Sequence, residues 1–592
     1  MNRRALLPVA VAVLTAVCFL PAVSGSFLNW DDDVNFRHSP AYRGLGWDQI
    51  RWAFTSMLFG HYIPFTRLTF SVNYVLGGMN PWGYHLLNVL LHGVNAALFY
   101  VVARRLLVAA VGDGGEEGHN DFDLSAAAVI AALLFGVHPL RVESVAWITG
   151  RADLLCATFV FLSTWAYLRA VEGPGPARRG LIFVSTAGLA AALLSKGAAL
   201  PLPAALLLLD VYPLRRLRRV GWLSLVREKI PLFAVTLAAA VIIVHATRRG
   251  AVLTTTADYG AVARVTVAAH SFVISAARFV WPAGLSPLYE MPPRVTPLEP
   301  RFGVAVVAAV IVTVALIALR RRWPAGVVAW TFSALMLVAP SAAARKTTDL
   351  APDRYTYLAG LGFALLAAGA VLGVLRLVRR GVFARGLAWM TALVCLAAIT
   401  GFGASSWMYT EIWREPETLW RWAVELDPAC SVCQSKLGES VLGDPAHPLR
   451  AVEAESLFRR AIALRPDRPH AYFNLGTALI VQDRYAEAEA PLRSFIERVP
   501  KSAAGPERLG RLYLLQHRYE QAVPLLRTAL TRQPDMPGLR AYLIEALLSR
   551  ARELQAIGLG SDAESLLSES RVLGQDKAAL GNRSRTPGAS QP

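Results

Sequence analysis

Apolar runs of roughly 15 to 20 residues recur from Ala5 to about residue 404, and short polar stretches rich in arginine separate them. A bilayer crossing takes about 20 mostly apolar residues. The pattern predicts about eleven membrane-spanning helices, at 5–23, 84–103, 124–138, 152–170, 180–195, 198–212, 230–246, 302–319, 325–341, 355–375 and 387–404. Beyond residue 404 the long runs stop. Apolar positions return at helical spacing between closing prolines.

Sidedness follows from the basic residues, which stay on the cytoplasmic side. Met1-Asn2-Arg3-Arg4 precedes the first run, so the chain starts inside. Counting spans alternately puts Arg104-Arg105, Arg178-Arg179, Arg215 to Arg219, Arg320 to Arg322 and Arg376 to Arg385 all inside, and the C-terminal tail outside. The first run also has the features of a signal peptide, with Ala22-Val23-Ser24 as a weak cleavage site; an uncleaved helix is expected. The run from Ala261 to Val280 carries Arg264, His270 and Arg278 and is expected to lie along the interface, because a crossing there would reverse two later Arg clusters. The short N-terminus, the outward tail and the lack of retention signals point to a bacterial inner membrane, multi-pass, with a cytoplasmic N-terminus.

Composition agrees with a membrane protein. Of 592 residues 54% are hydrophobic and 17% charged, against about 25% charged in soluble domains. That excludes disorder for the body. The net charge of +18 does not imply nucleic acid, since the bases sit between apolar runs. Cys18, Cys156 and Cys395 fall inside predicted spans, so a disulfide framework is excluded.

The tail reads as a helical repeat. Pro466, Pro500 and Pro534 stand at the tetratricopeptide period, and Pro428 closes an earlier segment. Leu437-Gly438, Leu475-Gly476 and Leu509-Gly510 occupy the first-helix signature; Tyr485 with Ala488 and Tyr519 with Ala522 occupy the second. The sequence therefore predicts an all-α chain: a polytopic helical bundle over 1–404, an extracytoplasmic tetratricopeptide α-solenoid over 405–572, and a disordered tail over 573–592. The concave face of such an array suits a peptide or protein segment, or else the array is a spacer. Cys430 and Cys433 form a CxxC without a following His or a second pair, so a local disulfide or inert thiols are expected.

Candidate chemistry gathers on the predicted outer face. Asp31-Asp32-Asp33 opens the first loop; a carboxylate in a partly dry cleft has a raised pKa and suits a general base, while the plainer reading is a hydrated loop or a cap. The next outer loop, His138 to Asp153, holds His138 and Glu143 to position an acceptor and Arg151 to fork a phosphate. Its plainer reading is a surface network of Arg141 with Glu143 and Arg151 with Asp153. His85, Asn88 and His92 share one helix face and suit interhelical hydrogen bonds or a site. Lys196 and Arg354 stand at span ends where they would meet an anionic head group, and Arg345 and Lys346 fall on the same face. Asp210 is expected to pair with the bases after it. No Walker A loop, GxGxxG after a strand or HExxH is present.

The order of Asp31-Asp32-Asp33, Met79-Asn80-Pro81, HLLNVLLH at 85–92, HPLRVESVAWITGRADLL from His138, Ser195-Lys196, APDRYTYL from Ala351 and the repeats resembles the transmembrane and tetratricopeptide-containing protein O-mannosyltransferases and their bacterial relatives, of the class C glycosyltransferase fold. The resemblance covers nearly the whole chain. It implies transfer of a mannose-like sugar from a polyprenyl-phosphate carrier to Ser or Thr hydroxyls of extracytoplasmic proteins, in one inverting displacement. By position, Asp31 or Asp32 is the base, Glu143 orients the acceptor, and Arg151, Lys196 and Arg354 bind phosphate, with His138 and His85 as further substrate contacts. No cofactor beyond the lipid-linked donor is implied and no metal ligand set is assigned. The implied partners are that donor, a protein or peptide acceptor in the repeat groove, and membrane lipids. Two positions depart from the family pattern: Ile63 before Pro64, and Gly197-Ala198 after Ser195-Lys196. The alternative is a non-catalytic scaffold that recruits envelope proteins through its repeats.

Overall fold

The computed structural model describes residues 3–37, 39–111, 121–173, 177–249, 260–338, 348–443 and 448–583. Among these the chain is helical, with only an isolated bridge between Glu290 and Asp349 in extended pairing. Two compact units divide it, Met1–Leu426 and Asp427–Pro592.

All the predicted spans fall on helices of the first unit, but they are not equal. Among the described residues seven helices are long and apolar enough to cross a bilayer: Pro81–Val111, Ile148–Glu172, Arg178–Ser195, Ile230–Arg249, Pro300–Leu319, Leu361–Arg379 and Arg385–Ile412. Leu6–Cys18, Gly197–Val211 and Pro324–Leu337 are apolar but shorter. The run at 124–138 is half of a bent pair, Asp121–Gly136 and Pro139–Ala146, meeting at 56°. Pro139 causes the bend: it has no N–H for the ladder and pushes the preceding residue out of helical geometry, and His138 is extended at φ −74° and ψ 135°. The chain is a multi-pass membrane protein with this bend at the end of the bundle that carries the candidate site.

The first loop is structured. Helix Pro64–Gly77 begins at Pro64 and packs on helix Ala177–Ser195, with Thr66 Oγ1 donating to Ser195 O at 3.0 Å. Arg67 is buried there and donates to Ser56 O at 2.6 Å and His61 O at 3.2 Å. At the opposite, arginine-rich end, Asp210 is buried against Lys229 and Arg216, with Tyr167 donating to it at 2.7 Å. The expected pairing of Asp210 with a following base is present; Lys229, 19 residues on, is the added partner.

In the second unit helices pair as the repeat pattern predicts: Ser431–Leu442 with Pro448–Leu464, Pro469–Val481 with Tyr485–Arg498, Ala504–Leu515 with Tyr519–Arg532, and Leu539–Ala556 with Gly560–Arg583. The signature glycines mark where paired helices meet. A Cβ on Gly476 would lie 2.6 Å from Leu492 Cγ, and on Gly510 2.8 Å from Leu526 Cγ. Cys430 and Cys433 are disulfide-bonded and buried, and the Cys430 sulfur accepts from Cys433 N at 3.1 Å, which caps helix Ser431–Leu442. The expectation of an irregular tail from 573 is corrected at its start: Gly560–Arg583 is helical. The helix formers Lys577, Ala578, Ala579 and Leu580 precede the Ser, Pro and Gly of the terminus. Residues 584–592 lie outside the described residues, as do Arg345 and Lys346.

Candidate active site

The first loop is anchored before it reaches its carboxylates. Ser26 N donates to Arg414 O at 2.8 Å, and Trp420 Nε1 donates to Asn29 Oδ1 at 2.7 Å. Helix Pro416–Leu426 thus seats on the loop from the far end of the first unit. Asp32 then turns fully inward. Its Oδ1 accepts from Thr149 Oγ1 at 2.7 Å and Thr149 N at 3.3 Å, and its Oδ2 accepts from Leu28 N at 3.1 Å. Each carboxylate oxygen takes about two hydrogen bonds, so Oδ2 keeps one lone pair. Burial pushes the Asp32 carboxyl up to about 7, against the lowering effect of the Thr149 and Leu28 donors and with a further rise from Asp31 beside it. Asp31 is half-buried. Asp33 Oδ1 accepts from Val34 N at 2.8 Å, a local turn.

Glu143 is buried on the short helix Val142–Ala146 and meets the corner at 353–355 from across the chain. Its Oε2 accepts from Arg354 N at 2.7 Å, and its Oε1 forms an ion pair with Arg354 Nη1. The same guanidinium stands 3.7 Å from Asp349. Asp353 accepts from Tyr289 OH at 3.2 Å and from Arg278 Nη1 at 3.3 Å. Burial raises Asp349 to about 8 and Asp353 to about 7, with Arg354 and Arg278 respectively pulling them back. Buried acids beside Arg354 are thus balanced by few cations, and the same deficit holds the Arg354 guanidinium firmly protonated.

Lys196 and Arg354 converge on Tyr355. Lys196 Nζ holds both oxygens of Asp153, at 2.7 and 2.6 Å, and lies 6.0 Å from the Tyr355 ring centre. Arg354 Cζ lies 5.1 Å from the same ring. All three side chains are only partly buried. The expected pairs Arg141–Glu143 and Arg151–Asp153 are therefore replaced by Arg354–Glu143 and Lys196–Asp153.

The structure does not bring the remaining candidates to Tyr355. Arg151 is buried: Nε donates to Asn88 Oδ1 at 2.8 Å, Nη2 to Tyr84 O at 2.7 Å, and Nη1 to Asn73 and Thr69, over the Phe70 ring. Its fork is spent inside the fold. His138 accepts from Leu140 N on Nδ1, so its Nε2–H donates to Phe279 O at 2.9 Å; the ring serves the Pro139 turn. His85 faces Ser26 O at 3.4 Å. Its face is a scaffold, as the interhelical reading expects. Asn88 Nδ2 donates to the carbonyls of Val145, Trp147 and Ile148, and His92 bridges Tyr357 OH and Gly136 O, each at 2.8 Å. Asn88 therefore holds the backbone that runs from Glu143 to Thr149.

That segment joins the two acid sites. Thr149 lies six positions after Glu143, and the segment turns at Trp147, which is extended between the helix Val142–Ala146 and the turn Ile148–Gly150. Gly150 closes it: a Cβ there would lie 2.6 Å from Ser144 O and 3.0 Å from Ser144 Cα, both backbone. Gly150→Ala is expected to shift the Thr149 turn and lower thermal stability by about 1–3 kcal/mol, measured by unfolding of the full chain in nanodiscs; an unchanged transition would contradict the packing. Sequence reasoning missed Asp349 and Thr149, and it put Arg141 in a surface pair with Glu143. The Arg141 guanidinium is fully buried with no hydrogen-bond partner among the described residues and sits between the rings of Phe135, at 5.2 Å, and Tyr357, at 5.5 Å. No spacing signal marks these residues, because their partners lie far along the chain. Among the described residues no group of three or more His, Cys, Asp or Glu is arranged to hold a metal ion.

The protein O-mannosyl-transferase TMTC4 of Mus musculus is 35% identical over 173 residues, 28% of this chain and 23% of its own length. The TMTC4 of Homo sapiens is 37% identical over 172 residues, covering 27% and 22%. The chain is a relative of the protein O-mannosyl-transferases. The matched part spans about a quarter of the length of those curated relatives. TMTC2 of Mus musculus adds 38% identity over 118 residues, 20% of this chain and 12% of that protein. Residues 450–505 match the tetratricopeptide repeat family model. The crystal structure of MamA, 18% identical, covers 28% of this chain and 89% of its own at a TM-score of 0.23. This O-mannosyl-transferase relative thus pairs a polytopic unit bearing buried carboxylates with a repeat array.

Proposed function

We propose that the protein is a membrane glycosyltransferase that moves a mannose-like sugar from a polyprenyl-phosphate carrier to Ser or Thr hydroxyls of extracytoplasmic proteins, with the repeat array holding the acceptor or a partner. Its setting is the bacterial inner membrane, repeats outside. The observation that supports this reading is that one short segment holds both Asp32, through Thr149, and Glu143, which is bound to Arg354 beside Lys196 and Tyr355.

In this reading the acceptor oxygen attacks the anomeric carbon. Its proton passes to the free lone pair of Asp32 Oδ2, with Asp31 beside it at the mouth. The bond from the anomeric carbon to the phosphate oxygen breaks, and its electron pair leaves on the phosphate. Arg354 and Lys196 stabilise that charge, which a preorganised donor set does best in a site shielded from water. Glu143 holds Arg354 in place through both its backbone N and its guanidinium. Arg151, His138 and His85 support the walls.

The base must be ionised to accept a proton. With the Asp32 carboxyl at about 7, transfer in proteoliposomes is expected to climb roughly tenfold per pH unit below neutrality and level off above it. Thr149→Val removes a donor that lowers this pKa, so the limb is expected to move to higher pH. A profile flat from pH 5 to pH 8, with both forms, would exclude Asp32 as the base.

A further inference from the structure

Away from the acids, the first unit contains a cavity of about 410 Å³ walled by helices Pro81–Val111, Arg151–Glu172, Leu202–Val211, Pro324–Val338 and Leu361–Arg379. Its volume is in the range of ligand pockets. Along the last helix the lining runs from Leu361 to Arg376, about 22 Å of rise, which is most of the hydrocarbon depth of a bilayer. The wall is apolar, with Phe99, Leu106, Val160, Leu206 and Leu365 among its residues. Arg376 is the one charged side chain among the described residues that line it, at the end farthest from Glu143 and Arg354, with Tyr212 beside it.

Four arginines near that end are committed. Arg379 Nε pairs with Asp123 at 2.6 Å, Arg105 with Glu172, Arg216 with Asp210, and Arg215 donates to Ala110 O at 3.1 Å. The Arg376 guanidinium makes no ion pair or hydrogen bond among the described residues, and Asp123, the nearby carboxylate that acts on it, is paired with Arg379. A cation at the edge of hydrocarbon is costly unless it meets an anion or water. A long apolar slot with one uncommitted cation at its end has the shape and charge of an amphiphile's complement. Basic pockets between spanning helices take phospholipid head groups for this reason.

We propose that this cavity binds an anionic phospholipid from the leaflet at the arginine-rich end, its phosphate on Arg376 and an acyl chain along the wall toward Leu361. The occupant is a bilayer lipid rather than the sugar carrier: the phosphate of a reacting carrier belongs at Lys196 and Arg354, at the opposite end of helix Leu361–Arg379. That the occupant is not the sugar carrier rests on the transferase reading; that the slot takes an anionic lipid does not.

Two substitutions separate head from tail. Arg376→Gln removes the charge. Gly373 lines the cavity and a Cβ there meets no atom within 4 Å, so Gly373→Leu fills the slot without strain in a helix. The full chain is placed in nanodiscs of mixed phosphatidylglycerol and phosphatidylcholine, released in the gas phase, and its retained lipids are counted by native mass spectrometry. The expected result is a retained phosphatidylglycerol on the wild type. Arg376→Gln lowers that retention at least about fivefold, Arg376→Lys keeps it, and Gly373→Leu lowers retention of both lipids. Equal retention in wild type and Arg376→Gln, or no preference for phosphatidylglycerol, would overturn the proposal. So would competition by polyprenyl phosphate that Arg376→Gln leaves unchanged. Thermal unfolding of each variant in the same discs reports whether it is folded.

Discussion

Asp32→Asn is expected to reduce sugar transfer by about 10²–10⁴-fold, the usual contribution of a positioned general base, while the protein becomes no less stable. The second half of this expectation follows from the direction of the pKa. The Asp32 carboxyl sits at about 7 in the fold, above its ordinary value of 3.8, because burial disfavours its charge. A carboxyl raised on folding contributes most stability when it is protonated in both states, below about 4, and loses that contribution as pH rises through 7. Asparagine is neutral at every pH and keeps an oxygen for Thr149; it leaves Leu28 N–H without its acceptor, a cost of about 1–3 kcal/mol that the relief from burying a charge offsets. Above pH 7 the variant is therefore expected to melt at the same or a higher temperature than the wild type. Asp32 also ties the first loop to the Thr149 turn, and an anchor alone would give a different pattern. Thr149→Val would then lose as much activity as Asp32→Asn, and both would melt earlier. As a base, Asp32 makes Thr149→Val the milder change, with a shifted pH limb.

Arg354→Ala is expected to cost about 10²–10³-fold in transfer, as removal of one charge-stabilising donor does, and also to destabilise the fold. Glu143 is buried and would lose its ion-pair partner; breaking such a pair by removing one member typically costs about 3–5 kcal/mol. The two effects separate in the double variant Glu143→Gln with Arg354→Gln. Replacing both members relieves the uncompensated charge, so stability returns toward the wild type. Activity does not return, because the phosphate still lacks its cation. If activity recovered along with stability, Arg354 would be a positioning residue alone. A rise in KM for donor without a fall in kcat would likewise place Arg354 in ground-state binding.

Much of this architecture is legible in the sequence, for physical reasons. Spans announce themselves because lipid demands uninterrupted apolar length, and the repeats because Gly476 and Gly510 stand where Leu492 and Leu526 leave no room for a Cβ. The helix face of His85, Asn88 and His92 is legible because polar groups in a bundle must find partners. The bend at His138-Pro139 is hidden inside an otherwise apolar run. Ion-pair choice is also hidden. Glu143 lies two residues from Arg141, yet it pairs with Arg354, 211 residues on, while Arg141 is caged between two rings. Local spacing favours neighbours; the fold sets these partners through long-range packing. Arg151 carries the same lesson. Its fork suits phosphate, but Asn73, Tyr84 and Asn88 take it first.

The most direct measurement of the central claim is transfer by the purified full chain in proteoliposomes. The donor is polyprenyl-phosphate mannose labelled in the sugar, alongside other polyprenyl-phosphate sugars, and the acceptor is a Ser/Thr-rich peptide. The account predicts label on a Ser or Thr oxygen with inverted anomeric configuration, dependent on Asp32 and Arg354. No transfer from any of these donors to peptide or protein acceptors, by protein that is folded and inserted, would contradict it and leave the repeat-bearing membrane scaffold as the better account.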